Sequence, residues 1–237
     1  MQKKLEPAER LIVAADNIDV VDLAAKLQGT GVYLKVNSAL RERGYPLILQ
    51  IREFGLRVFA DLKLNDIPET LATDGRLLAA VAPDLVTVMC SAGVAAIKAL
   101  KTWLPDTEVL GVTVLTSMTD DDSRSLFGCT VPGAVRRLAC LAREAGIDGL
   151  VASAKEAQDL REILGKDMSI NTPAIRPAWV TVAGDDQNAS RVTTPAEAIR
   201  LGADRIVVGR PIVRAQDPRT AVLRTIEEIA SAKEPAT

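Results

Sequence analysis

The chain has 237 residues, of which 48% are hydrophobic and 25% are charged, and its formal net charge is −2. This length suits one large α/β domain, and the near-average composition excludes collagen, a coiled coil and a disordered chain. A net charge near zero argues against nucleic acid or an anionic membrane as a partner, because either would need a basic surface. The sequence contains no histidine, which excludes an imidazole base and histidine-ligated metal sites.

Short apolar runs alternate with longer amphipathic stretches along the whole chain. The predicted strands cover residues 10–15, 31–36, 57–63, 84–89, 108–115, 147–152, 168–171 and 204–208. The predicted helices cover residues 19–28, 46–54, 68–81, 92–103, 132–145, 155–164, 194–201 and 218–231. Prolines in first helical turns, such as Pro68, and glycines just past helix ends, such as Gly146, support these boundaries.

Eight strand–helix units predict a (β/α)8 TIM barrel, a single α/β domain spanning residues 1–237. Such barrels usually have about 250 residues. The alternative is an open, doubly wound sheet, whose strands are also buried on both faces. The barrel is favoured because no G-x-G-x-x-G fingerprint follows the first strand.

Charged residues follow the first three predicted strands. Asp16 follows the first strand and Lys35 lies near the end of the second. Asp61 and Lys63 end the third strand, where residues two apart share a face, and Asp66 follows in the next turn. The active site of a TIM barrel lies at this end of the strands. Because buried charges cost free energy, the array indicates catalysis; the alternative is an ion-pair cluster that closes the barrel top.

Two further segments predict a phosphate site. Gly209 and Arg210 follow the eighth strand, where TIM barrels commonly bind phosphate through backbone N–H groups and a guanidinium. The polar segment 171–194 is unusually long for a connection, and we expect a lid loop over about residues 174–192. Arg176 and Gln187 are its best-placed hydrogen-bond donors.

The cellular location is predicted from the cysteines and from the N-terminus. The three cysteines, Cys90, Cys129 and Cys140, show no CxxC spacing, which favours a reducing compartment over a disulfide framework. The first apolar run is too short for a signal peptide, and no run reaches the ~18 apolar residues of a membrane span. We therefore expect a soluble, cytoplasmic protein.

Seven motifs, taken together, resemble the orotidine 5′-phosphate decarboxylase family. They are VAADN, YLKVN, DLKLNDIPET, GVTVLTSM, TPAIRP, AGDDQ and VVGRPI, all in the family's order. The resemblance runs from Leu11 to about Pro218, and DxKxxDIPxT is its most specific part. It implies decarboxylation of orotidine 5′-monophosphate to uridine 5′-monophosphate in pyrimidine biosynthesis, without metal or organic cofactor.

The resemblance also implies roles for individual residues. Lys63 would stabilise and protonate the C6 carbanion, within a charged array that includes Lys35, Asp61 and Asp66. A homodimer with shared active sites is implied as well, because Asp66 and Thr70 would come from the partner subunit. The implied substrate contacts are Asp16 and Lys35 with the ribose, Thr116 and Ser117 with the pyrimidine, and Arg176, Gln187, Gly209 and Arg210 with the phosphate.

Some positions depart from the family pattern. Met89 and Cys90 stand where many relatives have a histidine, and Ala174 replaces the usual glycine of TPGIRP. Asn37 stands where glycine is usual, and Glu69 where asparagine is common. None of these changes removes a charged group of the array, so the expected chemistry is unaffected.

Three alternatives compete with this interpretation. A metal-dependent sugar-phosphate decarboxylase or aldolase of the same superfamily would place a metal-binding carboxylate where this chain has Lys35. A ribulose-phosphate epimerase uses histidine ligands, which this chain lacks. A non-catalytic nucleotide-binding protein would have no reason to keep four costly charges.

Overall fold

The computed structural model of the protein describes residues 5–16, 18–180 and 192–232. Within these residues eight parallel strands pair in chain order, and the first also pairs with the eighth, which closes the barrel. The strands are β1 (Leu11–Ala14), β2 (Tyr33–Val36), β3 (Arg57–Leu64), β4 (Leu85–Met89), β5 (Glu108–Val112), β6 (Gly149–Val151), β7 (Ser169–Thr172) and β8 (Arg205–Val208). The predicted (β/α)8 barrel is confirmed, and the open-sheet alternative is wrong.

Helices follow every strand and cover the outside of the barrel. They are α1 (Val20–Leu27), α2 (Ser38–Arg43), α3 (Pro46–Arg52), α4 (Pro68–Ala79), α5 (Val94–Thr102), α6 (Asp120–Phe127), α7 (Val131–Ala145), α8 (Ala154–Leu164), α9 (Pro195–Arg200), α10 (Arg210–Val213) and α11 (Pro218–Ala230). Short 3₁₀ turns cover Pro7–Arg10 and Cys90–Ala92. Among the described helices, none combines the length and the hydropathy that a membrane span needs.

Helices α2, α6 and α10 were not predicted from the sequence. Helix α6 begins at a capping box, in which Thr119 and Asp122 satisfy each other's backbone N–H groups, and it ends at the left-handed Gly128. The predicted strand over 108–115 is correspondingly shorter and ends at Val112. Local capping, rather than an apolar stripe, therefore specifies this helix.

Alternating residues along the strands separate two apolar layers. Ile12 packs inside the barrel, while its neighbour Val13 packs between the sheet and the helices. The inner cluster consists of Ile12, Ala14, Tyr33, Phe59, Leu85, Leu110 and Val207. Because both faces of every strand are covered, the strands appear in the sequence as continuous apolar runs.

An ion pair closes the amino-terminal end of the barrel. Arg205, the first residue of β8, donates from Nη1 and Nη2 to the two carboxylate oxygens of Glu108, at 2.9 and 2.6 Å. Its guanidinium also lies over the Tyr33 ring, 5.2 Å from the centroid. The Arg205 side chain is only 4% exposed. This end of the barrel is therefore filled, and any ligand site must lie at the other end.

Candidate active site

Strand β3 is irregular at the point where its charged residues lie. Ala60 is opposite Val86 of β4 and Leu64 is opposite Val88, so residues 61–63 face the single residue Thr87. Lys63 has φ of 50°, in the left-handed region that residues other than glycine rarely adopt. This bulge places Asp61 and Lys63 together at the carboxyl end of the strand.

Four charged side chains form a continuous chain of ion pairs. Lys63 Nζ lies 2.8 Å from each carboxylate oxygen of Asp61. Lys35 Nζ lies 3.2 Å from Asp61 Oδ2 and 3.1 Å from Asp16 Oδ2. The structure therefore brings Asp16, Lys35, Asp61 and Lys63 together, in alternating charge across three neighbouring strands.

Asp61 is held as a carboxylate despite its burial. Desolvation alone would raise its pKa, but the charges of Lys35 and Lys63 and the hydrogen bonds from Lys63 and Thr87 outweigh it. The net effect lowers the pKa of Asp61 below its ordinary value. The Asp61 side chain is 10% exposed and that of Lys63 is 33% exposed, so the buried anion holds an ammonium that reaches solvent.

Thr87 contacts the ion-pair chain and was not predicted from the sequence. It is fully buried on β4, and its Oγ1 donates to Asp61 Oδ1 and accepts from the Lys63 backbone N–H, both at 2.9 Å. Its only sequence signal is a polar residue within the apolar strand LVTVM. That signal is weak, because threonine is a favoured strand residue.

A cavity of about 490 Å³ opens at the carboxyl ends of the strands. This volume is within the usual range for small-molecule sites. Its polar lining residues are Asp16, Lys35, Asp61, Lys63, Thr116, Arg176, Gly209, Arg210 and Arg214, and its apolar ones include Phe59, Val112, Val151 and Val207. One part of the wall thus carries the ion-pair chain, and another carries three arginines.

Four predicted site residues are not among the residues that line this cavity. Ser117 is exposed beside Thr116, and Gln187 lies outside the described residues, as does the rest of 181–191 within the predicted lid. Asp66 is exposed in the loop before α4, where its Oδ1 accepts the Ile67 N–H at 2.7 Å. Thr70 lies on the first turn of α4 and is likewise absent from the cavity wall.

Large apolar side chains are exposed in the loop before α4 and on the helices α4 and α5. Ile67 is 64% exposed, Leu77 of α4 is 54% exposed, and Trp103 at the end of α5 is 44% exposed. Helices α4 and α5 pack against each other, and Arg76 lies over the Trp103 ring. Large apolar side chains exposed on two packed helices suit a protein–protein contact surface.

A metal site is not evident in the described part of the chain, where no three acidic or cysteine side chains converge. The ammonium of Lys35 contacts both Asp16 and Asp61. Together with Lys63, which contacts Asp61, it balances the two carboxylates nearest the cavity and leaves a divalent ion little charge to bind.

Comparisons with known proteins agree on one family. The family model described as "Orotidine 5'-phosphate decarboxylase / HUMPS family" matches residues 9–225. An orotidine 5′-phosphate decarboxylase of Syntrophus aciditrophicus is 41% identical over 240 residues, 95% of this chain and 94% of the relative. That of Saccharophagus degradans is 38% identical, with 95% of each chain covered. The crystal structure of orotidine 5′-phosphate decarboxylase from Lactobacillus acidophilus superposes with a TM-score of 0.81 at 32% identity, covering 93% of this chain and 99% of that one.

Proposed function

The chain belongs to the orotidine 5′-phosphate decarboxylase / HUMPS family, and from this we propose that it is a carboxy-lyase that converts orotidine 5′-monophosphate to uridine 5′-monophosphate in pyrimidine biosynthesis. The observation that carries the proposal is the position of Lys63. Its ammonium lies on the cavity wall, paired with a buried carboxylate and open to solvent on one side. A fixed cation at this place suits a reaction that develops negative charge on carbon.

The reaction requires one bond to break and one to form at C6 of the pyrimidine. The bond from C6 to the carboxylate breaks, carbon dioxide leaves, and the electron pair stays on C6. Lys63 stabilises this pair as it develops and then donates a proton from Nζ, which forms the C6–H bond of the product. The neutral amine of Lys63 regains its proton from water, so no redox partner is needed.

Asp61 and Lys35 prepare Lys63 for this role. The negative charge of Asp61 favours the charged form of Lys63, and its two oxygens at 2.8 Å fix the direction of the ammonium. Lys35 contacts both Asp61 and Asp16, so its ammonium balances the second negative charge of the array. We assign Lys35 and Asp16 to the binding of the ribose. The array therefore delivers one oriented, protonated ammonium to the cavity.

The arginine side of the cavity suits the 5′-phosphate. We assign Arg176, Arg210 and the backbone of Gly209 to this group, with Gln187 as a further donor and Thr116 and Ser117 near the pyrimidine. Guanidinium groups bind phosphate oxygens in bidentate fashion. Binding energy from the phosphate, remote from C6, can then contribute to the chemical step.

We further propose a homodimer in which the partner subunit supplies Asp66 and Thr70 to the site. Both residues lie outside the cavity of their own chain. Asp66 precedes the exposed Ile67, and Thr70 is on α4, which also exposes Leu77. Burying these side chains against a second copy would remove apolar area from water. We also place the protein in the cytoplasm, where its three free cysteines would stay reduced.

The proposal is tested by following the ultraviolet absorbance of orotidine 5′-monophosphate with the purified protein and excess chelator. Conversion to uridine 5′-monophosphate that chelator does not slow is the expected result. A folded protein that leaves this nucleotide unchanged would overturn the proposal. In that case sugar phosphates with added magnesium test the related metal-dependent decarboxylases and aldolases.

A further inference from the structure

Thr87 contacts both members of the Asp61–Lys63 pair. Its hydroxyl accepts the Lys63 backbone N–H and donates to Asp61 Oδ1, each at 2.9 Å, and the residue is fully buried. Leu85, two residues earlier on β4, belongs to the inner cluster of the barrel. Residues two apart share a face of the strand, so Thr87 points into the barrel directly beneath the pair.

The bulge in β3 leaves a backbone N–H for the Thr87 hydroxyl to accept. Three residues of β3, 61–63, lie opposite the single residue Thr87, so the regular ladder between β3 and β4 is interrupted there. The left-handed backbone of Lys63, with φ of 50°, costs free energy and persists only if its surroundings hold it. The Thr87 hydroxyl accepts a hydrogen bond from the Lys63 N–H, which has no partner in the strand ladder. This hydrogen bond stabilises the left-handed conformation of Lys63.

We propose that Thr87 is a positioning residue for the decarboxylation, which fixes the Lys63 ammonium in the cavity by tying the Lys63 backbone to the Asp61 carboxylate. The inference rests on the proposed function. Thr87 does not line the cavity, so it acts through Lys63 and Asp61 and not on the substrate.

Replacing Thr87 with valine keeps the branched shape and removes both hydrogen bonds. The Lys63 N–H would then be buried without its acceptor, and Asp61 Oδ1 would lose a donor. The Lys63 backbone would relax from φ of 50°, and the ammonium would move away from the position beside C6. The arginines and Gly209, which lie on other strands and loops, would still bind the nucleotide.

The experiment compares Thr87→Val and Thr87→Ser, with Thr225→Val as the matched control. Thr225 is also fully buried, and its hydroxyl donates to the Ala221 carbonyl within α11, away from the cavity. We expect kcat of Thr87→Val to fall about 10- to 100-fold, with KM and the Kd of uridine 5′-monophosphate changed less than about threefold. Thr87→Ser, which retains the hydroxyl, should recover kcat to within about threefold of the wild type.

A wild-type kcat in Thr87→Val, or an equal loss in Thr87→Ser, would overturn the proposal. If Thr87→Val does not fold, Thr87→Cys replaces it, because its thiol is a weaker hydrogen-bonding group of similar size. Its kcat should then lie below that of Thr87→Ser, and equal values would contradict the proposal.

A measurement without substrate separates this inference from the proposed function. The Lys63 amide should exchange with deuterium faster in Thr87→Val than in the wild type, and at the wild-type rate in Thr225→Val. Failure of the wild type to convert orotidine 5′-monophosphate would overturn the proposed function alone. Unchanged Lys63 exchange in Thr87→Val would overturn the coupling through Thr87, whatever the substrate.

Discussion

Lys63 Nζ lies 2.8 Å from both carboxylate oxygens of Asp61, two residues earlier on the same strand. The two ends of this pair have different surroundings, because Asp61 is buried and Lys63 is one-third exposed. The buried carboxylate therefore orients an ammonium whose other side faces the cavity. The bulge in β3, with Lys63 at φ of 50°, provides this arrangement.

The first prediction concerns Lys63→Ala. Without the ammonium, kcat should fall by at least about 1,000-fold, because both charge stabilisation and the proton donor are lost. Calorimetry should show that uridine 5′-monophosphate still binds, since the arginine side of the cavity is intact. Lys26→Ala is the control, because Lys26 pairs with Asp22 on the exposed face of α1, away from the cavity. Turnover that survives in Lys63→Ala would remove Lys63 from the mechanism.

The second prediction concerns the stability that the Asp61 charge provides. Asp61→Asn leaves Lys35 and Lys63 without their shared anion, and we expect the free energy of unfolding at pH 7 to fall by about 3–5 kcal/mol. Because the folded-state pKa of Asp61 is lowered, the wild-type advantage is complete above the unfolded-state pKa of about 3.9. It should diminish as the pH falls below that value towards the folded-state pKa.

Urea unfolding of Asp61→Asn and wild type between neutral and acidic pH measures this dependence. Asp22→Asn, which alters the exposed ion pair with Lys26, serves as the control and should show almost no difference. A wild-type advantage that grows with acidity would contradict the assigned direction of the pKa.

The third prediction concerns the shared site. Lys63→Ala and Asp66→Ala should each be inactive, and an equal mixture after subunit exchange should recover about a quarter of the wild-type activity, because half the dimers are mixed and each holds one intact site. Turnover before and after exchange, with subunit mixing confirmed by mass spectrometry of a tagged partner, measures the recovery. A fully exchanged mixture that stays inactive would mean that Asp66 does not complete a partner's site.

The fourth prediction concerns the other end of the barrel. Glu108→Gln leaves the buried Arg205 guanidinium without its anion, and the free energy of unfolding should fall by about 2 kcal/mol or more. The ratio kcat/KM should change less than about twofold, because this end of a TIM barrel supports stability and not chemistry. Asp159→Asn, in an exposed pair with Arg136, should alter neither quantity. A loss of activity at unchanged stability would link the two ends of the barrel.

The strands and the long helices could be predicted because their buried positions are apolar and recur with a regular period in the sequence. Each strand is an apolar run and each long helix has an apolar face. Helix α10 has only four residues and α6 is polar, so neither has such a face. Their boundaries come from local features, such as the Thr119–Asp122 capping box.

The charged part of the site could be predicted because Lys35, Asp61 and Lys63 interrupt apolar strands at their carboxyl ends. Thr87 could not, because a threonine in a strand is ordinary and its role depends on a bulge in the neighbouring strand. The role of Asp66 could be predicted from the sequence only in part. Its motif is evident in the sequence, yet the folded chain places it outside its own cavity, so its role in the site depends on the dimer that we propose.

The filled interior of the barrel limits the routes by which products can leave the cavity. Phe59, which lines the cavity, belongs to one buried cluster with Leu85 and Leu110, and the pair of Arg205 and Glu108 closes the far end of the barrel. Within the described residues the barrel interior therefore offers the cavity no opening towards the amino-terminal end. In the proposed reaction, carbon dioxide formed beside Lys63 therefore cannot leave through the barrel and departs on the side of the carboxyl ends of the strands.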